Sequence, residues 1–126
     1  MTRRLVLLVD DDRALRQLVR ATLPEEWFEI AEAESGRDAL AKADQRRPDL
    51  VVLDWRMPEG SGAEVLARLK AHDATIRVVV LTAEKELRER DAARRLGADE
   101  FLTKPFSPLR LLDVLERLVD GPLADR

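Results

Sequence analysis

Cysteine is absent from the chain and histidine occurs once. The first absence excludes disulfides, thiolate metal ligands and thiol nucleophiles, so stability has to come from packing. The second leaves His72 alone, near the end of an expected third helix, with no ligand cluster around it in sequence; it reads as a surface residue. No apolar stretch approaches the roughly 18 residues of a membrane span, and no secretory-type apolar segment opens the chain. A soluble, cytoplasmic protein with no membrane partner is expected. Neither charge sign dominates, since 22 Lys and Arg oppose 25 Asp and Glu to leave −3. Direct nucleic-acid binding by this chain is therefore not expected. The phosphate-cradling patterns G-x-x-x-x-G-K-[ST] and G-x-G-x-x-G are also missing, which argues against nucleotide binding.

What is present is enough apolar material for one core: 45% of 126 residues. That length suits a single domain. Leu5 to Val9, Leu50 to Leu53 and Val78 to Leu81 are unbroken apolar runs, the mark of strands covered on both faces of a parallel sheet. Phe28 to Ala33 and Glu100 to Thr103 are weaker strands, expected at the edges. Between them lie helical periods: Leu15, Leu18, Val19 and Thr22, then Ala39, Leu40 and Ala43, then Val65, Leu66 and Leu69. The alternation predicts βαβ crossovers and five parallel strands. Ser61 with Glu64 has capping-box spacing, Ser107-Pro108 opens a last helix, and Pro48, Gly97 and Gly121-Pro122 supply stops.

Each long apolar run ends against polar residues: Val9 before Asp10 and Asp11, Leu53 before Asp54, Leu81 before Thr82. In an open parallel sheet the carboxyl ends of the strands share one edge, where ligands bind near the switch in strand order. Lys104, after the last strand, should reach the same edge. Three carboxylates gathered there repel by about 4 kcal/mol per pair at 4 Å and an effective dielectric of about 20. Oxygen ligands without His or Cys select a hard cation, and Mg²⁺ with few carboxylates and a phosphate oxygen fits best. Phosphoryl transfer requires positioning and charge neutralisation above all, so Asp54 is expected as the nucleophile, with Lys104 and the Thr82 hydroxyl beside the transferred group.

Taken singly, Asp-rich strand ends are commonly helix caps, and a lone Lys or Thr is a surface or turn residue. The ordered set is what carries weight. With Val9-Asp10-Asp11-Asp12, Leu53-Asp54-Trp55-Arg56-Met57-Pro58 followed by Gly60 and Gly62, Leu81-Thr82-Ala83, Gly97-Ala98-Asp99 and Phe101-Leu102-Thr103-Lys104-Pro105-Phe106, the chain resembles the receiver domain of two-component response regulators over nearly its whole length. The resemblance implies a doubly wound α/β fold, a flavodoxin-like (βα)5 sandwich with strand order 2-1-3-4-5. Residues 1–121 would be the receiver and 122–126 a tail or the start of a linker. It implies phosphorylation of Asp54 by a sensor histidine kinase or phosphotransfer protein, and switching of the face built from the fourth helix, fifth strand and fifth helix toward an output partner or a second copy.

Position by position, the resemblance makes Asp11 the direct acidic Mg²⁺ ligand, Asp10 its partner through water, Asp54 a further ligand and the Arg56 carbonyl another. Asp12 becomes a bystander or helix cap. Thr82 and Phe101 occupy the switch pair, with Phe101 departing from the frequent Tyr. Arg56 and Glu84 line the route by which water reaches the phosphoaspartate, the Lys104-Pro105 bond is typically cis, and function is switching rather than turnover. Other residues are read more plainly. Trp27 is expected to pack near the second strand, and Trp55 to shield Asp54 or present a partner surface. Arg46-Arg47 and Arg94-Arg95 are solvated helix ends. The segment from Glu84 to Leu96 has little apolar anchoring and is the element expected to move, whereas the last helix carries more Leu and Val than one core stripe needs.

A haloacid-dehalogenase-like phosphatase also uses an aspartate nucleophile on a parallel sheet. That family places a second Asp two residues on, where this chain has Arg56, and no cap-like insertion is present. A constitutive interaction module would not need Asp10, Asp11, Asp54, Thr82 and Lys104 intact together.

Overall fold

The computed structural model describes residues 3–57, 62–83 and 87–119, with the backbone alone at 87–89. The apolar runs form strands β1 (Arg4–Val9), β2 (Phe28–Ala33), β3 (Leu50–Asp54), β4 (Arg77–Ala83) and β5 (Glu100–Lys104). They alternate with helices α1 (Arg13–Thr22), α2 (Gly36–Gln45), α3 (Gly62–His72), α4 (Leu87–Arg95) and α5 (Pro108–Val119). All pairings are parallel, in the order β2-β1-β3-β4-β5, as the resemblance implies. The weaker β2 and β5 take the two edges. No helix among the described residues is long and apolar enough to cross a membrane.

Successive strand residues point to opposite faces, and both faces are covered. Leu7, Val9, Val51, Leu53, Val78 and Val80 pack with α2, α3 and Ala93 of α4. Val6, Leu8, Leu50, Val52, Val79 and Leu81 pack with Val19 of α1 and with Leu111, Val114 and Leu115 of α5. Truncating one of the leucines to Ala removes packing worth about 2 to 5 kcal/mol. At the amino edge of the sheet, where N–H groups lack strand partners, carboxylates serve instead. Asp49 Oδ2 accepts from Leu5 N and Asp99 Oδ2 from Val78 N, each at 2.8 Å. Asp99, part of the Gly97-Ala98-Asp99 signature, is also held by Lys70 at 2.9 Å.

Helix starts follow the sequence where they are described. Asp12 caps α1, accepting from Leu15 N at 3.2 Å. Ser107 Oγ accepts from Leu109 N at the start of α5. Ser61 of the expected capping box, Pro58 and Gly60 of the signature, Gly121-Pro122 and the tail lie outside the described residues.

Two packing expectations fail. Leu18, one of the residues of the α1 period, is 52% exposed, because it lies about 100° around the helix from Val19, which takes the core position. Trp27, expected to pack near β2, is 48% exposed. Its carbonyl accepts from Arg4 N, and the neighbouring Phe28 takes the inward place. On α5, Leu109 is 69% exposed while Leu112, Leu118 and Val119 are only partly covered, so the surplus apolar surface is present. On α4, Ala93 is the buried residue among those whose side chains are described, and Leu96 is exposed.

Candidate functional site

The chain reverses its direction of travel across the sheet between β1 and β3: β2 lies on one side of β1, and β3, β4 and β5 follow on the other. This switch point opens a crevice at the carboxyl ends of β1 and β3. Register does the rest. Val9 lies opposite Leu53, so Asp10 and Asp54 emerge side by side. Asp54 lies opposite Leu81, and Ala83 opposite Lys104, which brings Thr82 and Lys104 to the same edge.

Carboxylate oxygens of Asp10, Asp11 and Asp54 lie within 4.8 Å of one another. Asp10 is fully buried and Asp54 nearly so, whereas Asp11 is exposed. Lys104 Nζ reaches both buried acids, 2.9 Å from Asp10 Oδ2 and 3.2 Å from Asp54 Oδ2. The remaining Asp10 oxygen accepts from Asp12 N at 2.9 Å, and Asp54 Oδ1 accepts from Arg56 N at 3.2 Å. The Lys104-Pro105 peptide is cis. Arg56 is exposed; Glu84 lies outside the described residues.

Burial, and then the charge of Asp10, push the Asp54 carboxyl above its ordinary range, against the opposing pull of Lys104 and the Arg56 N–H. Burial works to lower the Lys104 pKa, but the hydrogen bond and charge of Asp10, with Asp54 behind them, raise it instead. The ammonium therefore stays charged. One cation faces three clustered carboxylates, and the donors are all hard oxygens. The residues fit a divalent ion such as Mg²⁺. The Thr82 hydroxyl adds to this. It is buried at 2% exposure and, among the described residues, has no hydrogen-bond partner, an uncommon condition for a polar group and one that an arriving acceptor oxygen would relieve.

Trp55 is buried, with its backbone N–H donating to Leu81 O at 2.9 Å. The ring belongs to the core on the α2-α3 side and lies against Gly62, so it does not present a partner surface. Phe101 is partly buried against the α2-α3 side of the core. The Arg90 and Arg94 guanidinium groups stand over its ring, 5.8 and 5.1 Å from the centroid, and Arg90 also bonds the Thr103 hydroxyl. Arg94 is thus not merely a solvated helix end, because α4 packs against β5 and turns that side chain over the ring. Arg46 pairs with Glu29, and Arg47 with Asp73 and Asp49. His72 is exposed at the end of α3, as expected.

One neighbour of the acidic cluster escaped the sequence reading. Arg16 of α1 donates through Nη1 to the Asp10 carbonyl at 2.5 Å and through Nε to Glu32 Oε1 at 2.9 Å. A signal was present. Helical side chains lean toward the N-terminus, so an Arg four residues past the Asp12 cap points back to the strand end.

Residues 6–116 match the family model described as response regulator receiver domain. The chain is 36% identical over 121 residues to the phosphate regulon transcriptional regulatory protein PhoB of Pseudomonas aeruginosa, covering 94% of this chain and 53% of that protein. It is 40% identical over 116 residues to the probable transcriptional regulatory protein TcrX of Mycobacterium tuberculosis, covering 89% and 50%. This chain thus spans about half the length of the curated relatives it matches. Among solved structures, the Vibrio cholerae chemotaxis protein CheY4 superposes with a TM-score of 0.85 at 34% identity, covering 93% of this chain and 99% of that one.

Proposed function

Because this chain belongs to the response regulator receiver domain family, a family characterised by aspartate phosphorylation and Mg²⁺, we propose that Asp54 is its phosphoacceptor and that it works as a switch. The donor would be a sensor histidine kinase or a phosphotransfer protein. An Asp54 oxygen bonds phosphorus as the bond from phosphorus to the partner's imidazole nitrogen breaks, and the imidazole leaves with that electron pair. Lys104 Nζ, 3.2 Å from Asp54 Oδ2, steadies negative charge on the attacking carboxyl. Lys104 Nζ would hold a phosphoryl oxygen, and the Thr82 hydroxyl, without a hydrogen-bond partner among the described residues, would donate to another. Asp11, Asp54, the Arg56 carbonyl and Asp10 through water would hold Mg²⁺, which supplies charge neutralisation on the transferred group. The transfer and the later hydrolysis are reactions of the protein on itself.

The observation that carries this reading is the trio of carboxylates within 4.8 Å with Lys104 against the two buried ones. Phosphorylation adds about −1.5 to −2 of charge. Recruitment of Thr82 would then bias Phe101, and with it the face of α4, β5 and α5, toward an output partner or a second copy. Arg56 and Glu84 would set how fast water removes the group. Residues 1–121 are taken as the receiver and 122–126 as a tail or linker start, in a cytoplasmic protein whose receiver does not itself bind nucleic acid. Incubation with acetyl phosphate and Mg²⁺ tests the assignment. Intact mass should rise by one phosphoryl group, and Asp54→Asn should not label; equal labelling of that variant would sink the proposal.

A further inference from the structure

We infer that Arg16 is a positioning residue for the acidic site, holding the peptide plane that joins Asp10 to Asp11. The inference rests on the reading of that site as a Mg²⁺ site. Asp10 has every polar group engaged: its N–H donates to Ala33 O at 3.1 Å, its two carboxylate oxygens accept from Asp12 N and Lys104, and its carbonyl accepts from Arg16. Asp11 differs. It is exposed, and among the described residues no hydrogen bond or ion pair holds its carboxylate. The direction of Asp11 is therefore inherited from its backbone, and its own N–H shares a peptide plane with the Asp10 carbonyl.

Arg16 is suited to hold that plane. Its side chain is only 12% exposed and spans from β1 to β2 through two different nitrogens. Its anchor is fixed as well. Glu32 takes Arg20 Nε on its second oxygen at 2.8 Å, and its carbonyl accepts from Lys42. The planar guanidinium serves two acceptors at once in fixed geometry, which a lysine ammonium on a flexible stem does not reproduce.

The sign of one substitution separates positioning from bulk electrostatics. A nearby positive charge repels a bound cation, so a purely electrostatic Arg16 would give tighter Mg²⁺ binding in Arg16→Gln and wild-type binding in Arg16→Lys. Positioning requires the opposite. Groups that orient metal ligands typically contribute 10- to 100-fold in affinity. Calorimetric Mg²⁺ titration should therefore show Arg16→Gln weakened about 10-fold or more, and Arg16→Lys weakened nearly as much. Glu32→Gln, which keeps its shape and an acceptor oxygen, should lose a smaller factor. Far-ultraviolet circular dichroism checks that each variant is folded. Should Arg16→Gln not fold, Arg16→Lys and Glu32→Gln decide. Unchanged or tighter binding in the folded variants, beside a wild type that binds Mg²⁺, overturns the inference alone. A wild type that binds no Mg²⁺ overturns it together with the metal reading.

Discussion

Lys104 reaches across β4 to Asp54, its Nζ lying 3.2 Å from Oδ2 although the two residues stand on strands that do not pair. The same ammonium also serves Asp10. A single positive charge thus spans both buried acids, while among the described residues Asp11 at the rim has no ion pair. Three carboxylates within 4.8 Å of one another are compatible with a further cation.

Mg²⁺ should therefore stabilise the protein by linkage. At a free concentration of one hundred times Kd the gain is about 2.7 kcal/mol, read as a rise in the thermal or denaturant midpoint. Trp55, next to Asp54 and buried, should report the same binding through its emission. Asp11→Ala should abolish most of both effects, and an undiminished response in that variant would contradict the ligand set.

Gly62 opens α3 directly against Trp55. A Cβ there would meet Trp55 Cε3 and the Trp55 carbonyl oxygen at 2.8 Å, and backbone cannot swing aside as a flexible side chain can. Overpacking of this kind costs about 1 to 3 kcal/mol. The helix-propensity gain of at most about 1 kcal/mol does not offset it at a first helical position. Gly62→Ala should lower the denaturant midpoint and shift Trp55 emission, and a stabilised variant would show that the contact relaxes freely.

Acid sensitivity should trace partly to Asp73. Hydrogen bonds from the Thr75 side chain and then from Arg47 hold its carboxyl far below the ordinary value of 3.8. A depressed carboxylate contributes stability above its unfolded pKa and loses it as pH falls through the folded one. Wild type should accordingly exceed Asp73→Asn in stability near neutrality, with the gap closing progressively below about pH 4. The pair is at the surface, so the gap should also shrink in molar salt. A gap that does not narrow between pH 4 and pH 2 would point to a cause other than charge.

Signal lifetime should depend on Arg56. Its backbone N–H donates to Asp54 Oδ1 at 3.2 Å, and the residue is exposed. Arg56→Ala should shorten the phosphorylated half-life severalfold in Mg²⁺ without unfolding the domain, followed by intact mass over time. Glu84→Ala should act in the same direction and more weakly. A longer or unchanged half-life in Arg56→Ala would mean that water reaches Asp54 by another path.

Much of this site could be read from the chain because its polar residues interrupt apolar runs. Asp10, Asp54 and Thr82 each follow a run of Val and Leu, and a parallel sheet sends such ends to one edge. Arg16, Arg90 and Arg94 gave no comparable sign. Each lies in a helix with many charged neighbours, and which arginine touches the site depends on how the helix is rotated against the sheet. Leu18 and Trp27 misled for the same reason, since an apolar side chain near a stripe or a strand still needs a surface to cover.

Element order, the polar strand ends and the oxygen donors of the site follow from local composition and period. Register and helix rotation do not. Only the pairing of Val9 with Leu53 sets Asp10 beside Asp54, only the reach of Lys104 over β4 joins them, and only the seating of α1 on β1 and β2 gives Arg16 the Asp10 carbonyl. These depend on contacts between residues far apart in the chain, whose geometry emerges when both faces of the sheet are packed at once.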